Sequence, residues 1–332
     1  MSRGIRISGI NFDVPETIIT NDDLTKIVDT SDEWIAQRTG IKKRRVVSGD
    51  ENSCTLGAKA AQKILDKTGV NPLDIEMIIV ASSSPHRAYP SVACELQAFL
   101  GCKNAAAFDI KAACSGFIYG LGIAKGFIKS GMYKKILIVA TDATTKFVDW
   151  TDRATCVLFG DGAGAALVEA DENGEDDIPF INLVADGDNK EFIYLNIPNA
   201  NCPLAQKEDE KNHNIVMQGR DVYKYVMQKI PAEVNKILKE ANLTADDIDY
   251  FIPHQANLRM IEALGPRLNF GEEKIITNIQ DYGNISAASI PSVLTEGIKD
   301  GRIKLPSTVL ICAFGAGMTI GTAIIKLRAD LK

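Results

Sequence analysis

The chain repeats itself once, at a fixed distance. Lys63-Ile64-Leu65 leads to Asp74-Ile75 and the apolar run Met77-Ile78-Ile79-Val80, while Lys236-Ile237-Leu238 leads to Asp247-Ile248 and Tyr250-Phe251-Ile252. Both pairs lie 173 positions apart (63 to 236, 74 to 247). Each copy reads as a helix, a short turn and a buried strand, because the hydrophobic period changes along it. The strand expected at 136–140 has its counterpart at 309–313, and Gly283-Asn284-Ile285-Ser286 opens a helix close to the position that answers Cys114 (114 to 284, 170 apart). Two copies of one α/β unit must then pack together to cover their apolar faces. The acidic, turn-prone segment 171–177 is the natural joint. It divides the chain into a half at 1–172 that carries Cys114 and a half at 173–332 that carries His254 and Asn284. A length of 332 residues is enough for the sizeable core such an arrangement needs. The stretch 196–214, with Pro198 and Pro203 among polar residues, reads as a surface loop.

Composition removes several classes of function. A net charge of −6 argues against nucleic-acid binding, which depends on a basic face that neutralises phosphates. No basic segment followed by an apolar core opens the chain, and no apolar run reaches membrane-spanning length. The expectation is a cytoplasmic protein that engages no membrane. Seven cysteines (54, 94, 102, 114, 156, 202 and 312) occur without a Cys-x-x-Cys pair, so neither a metal site nor a disulfide framework is expected.

Cys114 ends the run Phe108-Asp109-Ile110-Lys111-Ala112-Ala113 and is followed by an apolar helix pattern with Phe117, Leu121, Ala124 and Ile128 on one face. A thiol at a helix N-terminus meets unpaired N–H groups and the positive end of the dipole, which favour the nucleophilic thiolate. By itself, a free cysteine in such a chain is more often a small core residue. His254 follows the buried-strand pattern Phe251-Ile252-Pro253 and precedes a helix with Leu258, Ile261 and Leu264 on one side. Strand ends in α/β sheets are where ligands bind, which suits an acid, a base or a hydrogen-bond donor. Asn284 alone would be a turn or capping residue, but the repeat sets it opposite Cys114. The glycines at 160, 162 and 164 follow an expected strand at 156–159 and precede another at 165–168, so they read as a tight hairpin and not as a dinucleotide fingerprint. The second glycine turn, Phe314-Gly315-Ala316-Gly317, joins strands at 309–313 and 319–326 and would let backbone N–H groups approach a reacting oxygen.

Cysteine, histidine and asparagine on three strand-to-helix junctions describe thiol chemistry on an acyl carbonyl. Together with Ser31-Asp32-Glu33-Trp34 through Arg38-Thr39-Gly40-Ile41, Leu158 through Ala165, Pro253 through Arg259 and Tyr282 through Pro291, they make the chain closely resemble β-ketoacyl-acyl-carrier-protein synthase III, of the thiolase superfamily. The resemblance runs nearly end to end. It implies an α/β, five-layered α/β/α/β/α thiolase-like fold from two duplicated halves, active as a homodimer without a cofactor. It also implies that Cys114 takes an acyl group from an acyl-CoA. His254 and Asn284 would then hold the thioester oxygen of malonyl-acyl-carrier protein during decarboxylation, with the N–H groups of Cys114 and Ala316 as the oxyanion hole.

Further roles follow from the same likeness, residue by residue. Trp34 and Arg153 match positions that stack on the CoA adenine, and Arg38 a phosphate contact. Gly219 and Asn257 match the lining of the pantetheine tunnel, Lys224 and Arg259 the basic surface that receives the carrier protein, and Tyr89 the residue that closes the partner subunit's acyl pocket. The chain departs from the usual pattern at Ile320, Met318, Ile285, Tyr89 and Pro266, which bears on the pocket and the docking surface. Rival readings are a superfamily relative that condenses CoA thioesters for a specialised product, a cysteine thioesterase, and a non-catalytic binding subunit. Asn284 argues against the second, and the presence of all three polar residues against the third.

Overall fold

The structure is a computed structural model and describes residues 3–197, 204 and 212–332. Its main strands are β1 (Gly4–Asp13), β2 (Met77–Ala81), β3 (Ala106–Ile110), β4 (Lys135–Asp142), β5 (Gly162–Asp171), β6 (Phe180–Ala185), β7 (Tyr250–Pro253), β8 (Ser307–Gly315) and β9 (Thr319–Leu327). The principal helices are α1 (Asp32–Thr39), α2 (Ser53–Thr68), α3 (Val92–Phe99), α4 (Gly116–Ser130), α5 (Gly219–Ala241), α6 (Leu258–Leu268) and α7 (Ser289–Lys299).

The strands form two main sheets, in the orders β1-β5-β4-β2-β3 and β7-β8-β9-β6. In the first, β2 is parallel to both β3 and β4, and β5 runs antiparallel to β4 and β1. The second repeats this with β7 parallel to β8, and β9 antiparallel to β8 and β6. A fifth strand is absent from the second sheet among the described residues; a single parallel bridge, Phe251 to Ile275, stands in its place. Helices α4 and α7 lie between the sheets, α2 and α3 cover the outer face of the first, and α5 and α6 cover that of the second. This is the five-layered α/β/α/β/α arrangement of the thiolase fold.

The repeat distance of 173 holds in fine detail. One-turn helices at Pro72–Asp74 and Ala113–Ser115 recur at Ala245–Asp247 and Ser286–Ala288, and α4 and α7 start at Gly116 and Ser289. Even the strained backbone repeats: Ala113 has φ +46° and Ser286 has φ +54°. The residue that answers Cys114 is therefore Ala287, and Asn284 answers Lys111, a refinement of the coarser match at 170. The central layer is apolar on every side because it faces a sheet above and another below: Phe117, Leu121, Ala124 and Ile128 of α4 pack with Ile290, Val293 and Leu294 of α7.

Three local expectations are corrected. Residues 156–159 form a turn rather than a strand; Cys156, Val157 and Phe159 are apolar because they pack against Ile35 and Ile41. Gly162 to Gly164 are no hairpin but the start of β5, in register with β1 and β4. A Cβ at Gly164 would lie 2.2 Å from Pro291 Cγ, so glycine there is what lets α7 sit on the sheet. The joint at 171–177 is exposed only in its middle. Asp171 and Asp177 are buried against Arg328, which follows β9. The surface loop expected at 196–214 lies largely outside the described residues, Cys202 included.

Candidate active site

One cavity of about 860 Å³, mostly apolar, receives residues from both halves. Cys114 reaches it from the one-turn helix that precedes α4, His254 from the end of β7, and Asn284 from the loop before α7. Ala316 of the β8–β9 turn lines the same space. The approach of that turn is tight: a Cβ on Gly315 would lie 2.7 Å from the Cys114 nitrogen and 2.9 Å from the Ala112 oxygen. Only a residue without a side chain lets the strand end come so near the cysteine backbone.

Each polar group is oriented by a neighbour. The Nδ1 of His254 is 2.7 Å from Ser289 Oγ, and its Nε2 has no hydrogen-bond partner among the described residues. Ser289 Oγ also accepts the Gln255 N–H at 3.4 Å; in the tautomer where Ser289 donates to Nδ1, the ring proton stands on Nε2. The Oδ1 of Asn284 accepts the Ser286 N–H at 2.9 Å, so its NH₂ group is the end free to serve the cavity. The edge of Phe314 packs against the imidazole at 5.4 Å between centroids. A neutral N–H donor and a carboxamide donor thus face the space in front of a thiol.

Burial sets the protonation states. It pulls His254 down to about 3, so the ring is neutral. It also pushes the Cys114 thiol up to about 12, against the opposing effects of Ser286 and the backbone. Burial thus works against the thiolate expected at this helix N-terminus, while the Ser286 hydroxyl and the backbone N–H work for it. Sulfur lies within the cavity, and its proton must leave as the attack proceeds.

Of the other residues singled out from the sequence, Arg38, Gly219, Asn257 and Arg259 line the same cavity, and Trp34, Arg153, Lys224 and Tyr89 do not. Asn257 caps α6 by accepting the Arg259 N–H at 2.9 Å and donates to the Arg38 carbonyl at 3.0 Å. The guanidiniums of Arg38 and Arg153 lie 4.8 and 4.7 Å from the centre of the Trp34 indole. Arg153 thus rests directly on the ring, held by the Asp29 carbonyl at 2.8 Å. Lys224 is exposed and pairs with Asp221 at 3.7 Å, and Tyr89 is 85% exposed. Sequence reasoning missed Ser286 and Ser289, which orient the site, and Phe147, Tyr194 and Met217, which line it. The serines look like ordinary helix-start residues, and the apolar ones come from short segments without a period.

Fold and cavity together define an acyltransferase of the thiolase type. A sequence profile of 3-oxoacyl-(acyl-carrier-protein) synthase III matches residues 108–187, and its C-terminal companion matches residues 238–327. The β-ketoacyl-(acyl-carrier-protein) synthase III of Clostridium acetobutylicum is 44% identical over 323 residues, 97% of this chain and 98% of its own. That of Natranaerobius thermophilus is 46% identical over 318 residues, 94% of this chain and 96% of its own. The crystal structure of 3-oxoacyl-(acyl-carrier-protein) synthase III from Aquifex aeolicus VF5 matches with a TM-score of 0.89 at 41% identity, covering 97% of this chain and 100% of that one. The chain belongs to the β-ketoacyl-acyl-carrier-protein synthase III family.

Proposed function

We propose that this chain joins a short acyl group from an acyl-CoA to malonyl-acyl-carrier protein, with loss of carbon dioxide, to begin fatty acid synthesis. The observation that carries the reading is the convergence of the Cys114 thiol, the unpartnered Nε2 of neutral His254 and the Asn284 NH₂ group on one apolar cavity. Cys114 attacks the thioester carbonyl and CoA departs. When the malonyl group loses carbon dioxide, the electrons of the broken bond pass to its thioester oxygen, where His254 and Asn284 receive the charge as hydrogen-bond donors. The enolate carbon then attacks the acyl-cysteine. The oxyanion that forms is held by the N–H groups of Cys114 and Ala316, and collapse releases Cys114. Neutral donors suit this task, because a site dry enough to keep an imidazole uncharged makes each hydrogen bond to a new anion count for more.

The arms of the substrates follow the cavity outward. Gly219 and Asn257 take the pantetheine, and Arg38, Trp34 and Arg153 take the nucleotide at the mouth. Lys224 and Arg259 meet the acidic carrier protein by charge complementarity. The halves 1–172 and 173–332 act as the two domains of one unit, and two chains form a homodimer in which Tyr89 closes the partner subunit's pocket. The unpaired outer edge of β3 supports that pairing. Among the described residues no helix is long and apolar enough to cross a membrane, and a cytoplasmic site of action fits the reading.

Intact-mass measurement after incubation with a panel of acyl-CoAs tests this directly. One acyl adduct is expected on the parent chain and none on Cys114→Ala; an adduct of unchanged yield on the variant would sink the assignment.

A further inference from the structure

The two N–H groups that would hold the oxyanion come from opposite halves of the chain, Cys114 from the first and Ala316 from the β8–β9 turn of the second. The backbones that carry them have little to interlock. Ala112 and Ala113 on one side, and Gly315, Ala316 and Gly317 on the other, bear nothing larger than a methyl group. Dispersion between such residues is weak and sets no direction. One hydroxyl crosses between the segments instead. Thr319 pairs with Gly315 across the turn, and its Oγ1 stands 2.9 Å from the Ala112 carbonyl, 2.7 Å from Ser115 Oγ and 3.4 Å from the Ala316 carbonyl. Ser115 Oγ is in turn 2.7 Å from the same Ala112 carbonyl. Each hydroxyl has one proton to give. If Thr319 donates to Ala112, Ser115 donates to Thr319; if Ser115 donates to Ala112, Thr319 donates to Ser115. Both arrangements join the three groups into one closed set, and full burial of Ser115 shields it from solvent. The Ala112 carbonyl also accepts the Ser115 N–H at 3.2 Å, the bond that closes the one-turn helix around Cys114. Whatever holds that carbonyl therefore holds the turn from which the Cys114 N–H projects.

We propose that the Thr319 and Ser115 hydroxyls are positioning groups for the oxyanion hole: they lock the β8–β9 turn to the cysteine turn, so that the Ala316 and Cys114 N–H groups keep one spacing before any substrate arrives. Donors aimed in advance need no reorganisation as charge forms, and a displacement of about 1 Å is enough to lose much of their effect. Neither Ser115 nor Thr319 lines the cavity, so both act through the backbone. The clamp matters to the chemistry only if the two N–H groups receive the oxyanion of an acyl-cysteine reaction, as proposed above.

Thr319→Val keeps the branched shape and removes the hydroxyl, and Thr319→Ser keeps the hydroxyl without the methyl group. Rapid-quench intact-mass kinetics with acetyl-CoA measure Cys114 acylation. Release of carbon dioxide from malonyl-acyl-carrier protein without a primer measures the step that draws on His254 and Asn284. At saturating acetyl-CoA, acylation is expected to slow about tenfold in Thr319→Val, with the half-saturating concentration unchanged, and to recover most of its rate in Thr319→Ser. Carbon dioxide release should stay at the parental rate in both. Ser115→Ala removes the second hydroxyl and is expected to slow acylation by a smaller factor; it carries the test if Thr319→Val does not fold. Acylation at the parental rate in Thr319→Val, or in Ser115→Ala where that variant stands alone, overturns the proposal. Equal slowing of acylation and carbon dioxide release also overturns it, because that marks a general disturbance of the site. So does a Thr319→Ser as slow as Thr319→Val, which credits the methyl group and not the hydroxyl. A parent chain that forms no adduct would instead refute the acyl-cysteine reading itself.

Discussion

His254 carries no charge because its surroundings are apolar, and that neutrality couples its chemistry to the stability of the fold. The ring's pKa is about 3 in the folded chain against an ordinary 6.5, so the unfolded chain binds its proton first as the pH falls. The stability this residue allows is fully present above about pH 6.5 and is lost as the pH drops toward 3. His254→Ala should therefore flatten the acid limb of a urea-denaturation series between those limits, and an unaltered limb would contradict a buried neutral ring. The same variant is expected to keep acyl-adduct formation and to release carbon dioxide from malonyl-acyl-carrier protein roughly a hundredfold more slowly, as for loss of one oxyanion donor. Cys114 and His254 could be singled out in the sequence because each is a reactive type set between a strand run and a helix run, and Asn284 only because the repeat and the family likeness set it with them. Ser289 was not. Its partner lies 35 positions away, and nothing local distinguishes a serine that orients a ring from one that starts a helix.

Among the elements, the β8–β9 turn shows how closely the two halves are fitted at the site. Gly315 belongs to the second sheet, and the atoms that a Cβ there would strike belong to the first half's cysteine segment. Gly315→Ala must push that segment away and carry the Cys114 N–H with it. The expected result is a loss of about 1–3 kcal/mol in chemical denaturation, the usual cost of overpacking, together with slower acylation of Cys114. Unchanged stability and rate would mean that the two segments are not in contact. The helices and the parallel strands could be read beforehand from their periods, and the repeat fixed their order. The glycines at 162 and 164 and the apolar residues at 156–159 misled for one reason. Glycine signals a turn and short apolar runs signal a strand, whereas here the glycine makes room for Pro291 and the apolar run turns under α1. Close contacts between distant segments leave no mark on local pattern.

Among the described residues, the first sheet ends at a strand with no strand on its outer side. That strand is β3, α3 packs beside it, and Tyr89, before that helix, and Phe99, at its end, stand 85% and 67% exposed. A second copy laid on this edge would pair the free backbone groups and cover both rings. Light scattering should then give twice 36.0 kDa for the parent and a shift toward a single chain for Tyr89→Glu combined with Phe99→Glu. At the opposite edge, beside β1, the halves are tied by charge. Arg328 holds Asp171 at 2.7 Å, Asp177 at 2.7 Å and Glu175 at 3.2 Å, so the joint between the repeats is folded back onto the residue that follows the last strand. The Asp171 and Asp177 side chains are only 3% exposed, and Arg328 is 19% exposed. Removing the guanidinium leaves two desolvated carboxylates beside each other with no cation, a worse outcome than never having buried the group. Arg328→Met, which keeps an apolar stem of similar length, is expected to cost about 3 kcal/mol in urea denaturation. Asp171→Asn added to that variant should restore part of the loss, because it removes one of the repelling charges. If Arg328→Met is as stable as the parent, the joint is held by the backbone pairing of Ile5 with Glu175 and Asp177 and not by charge.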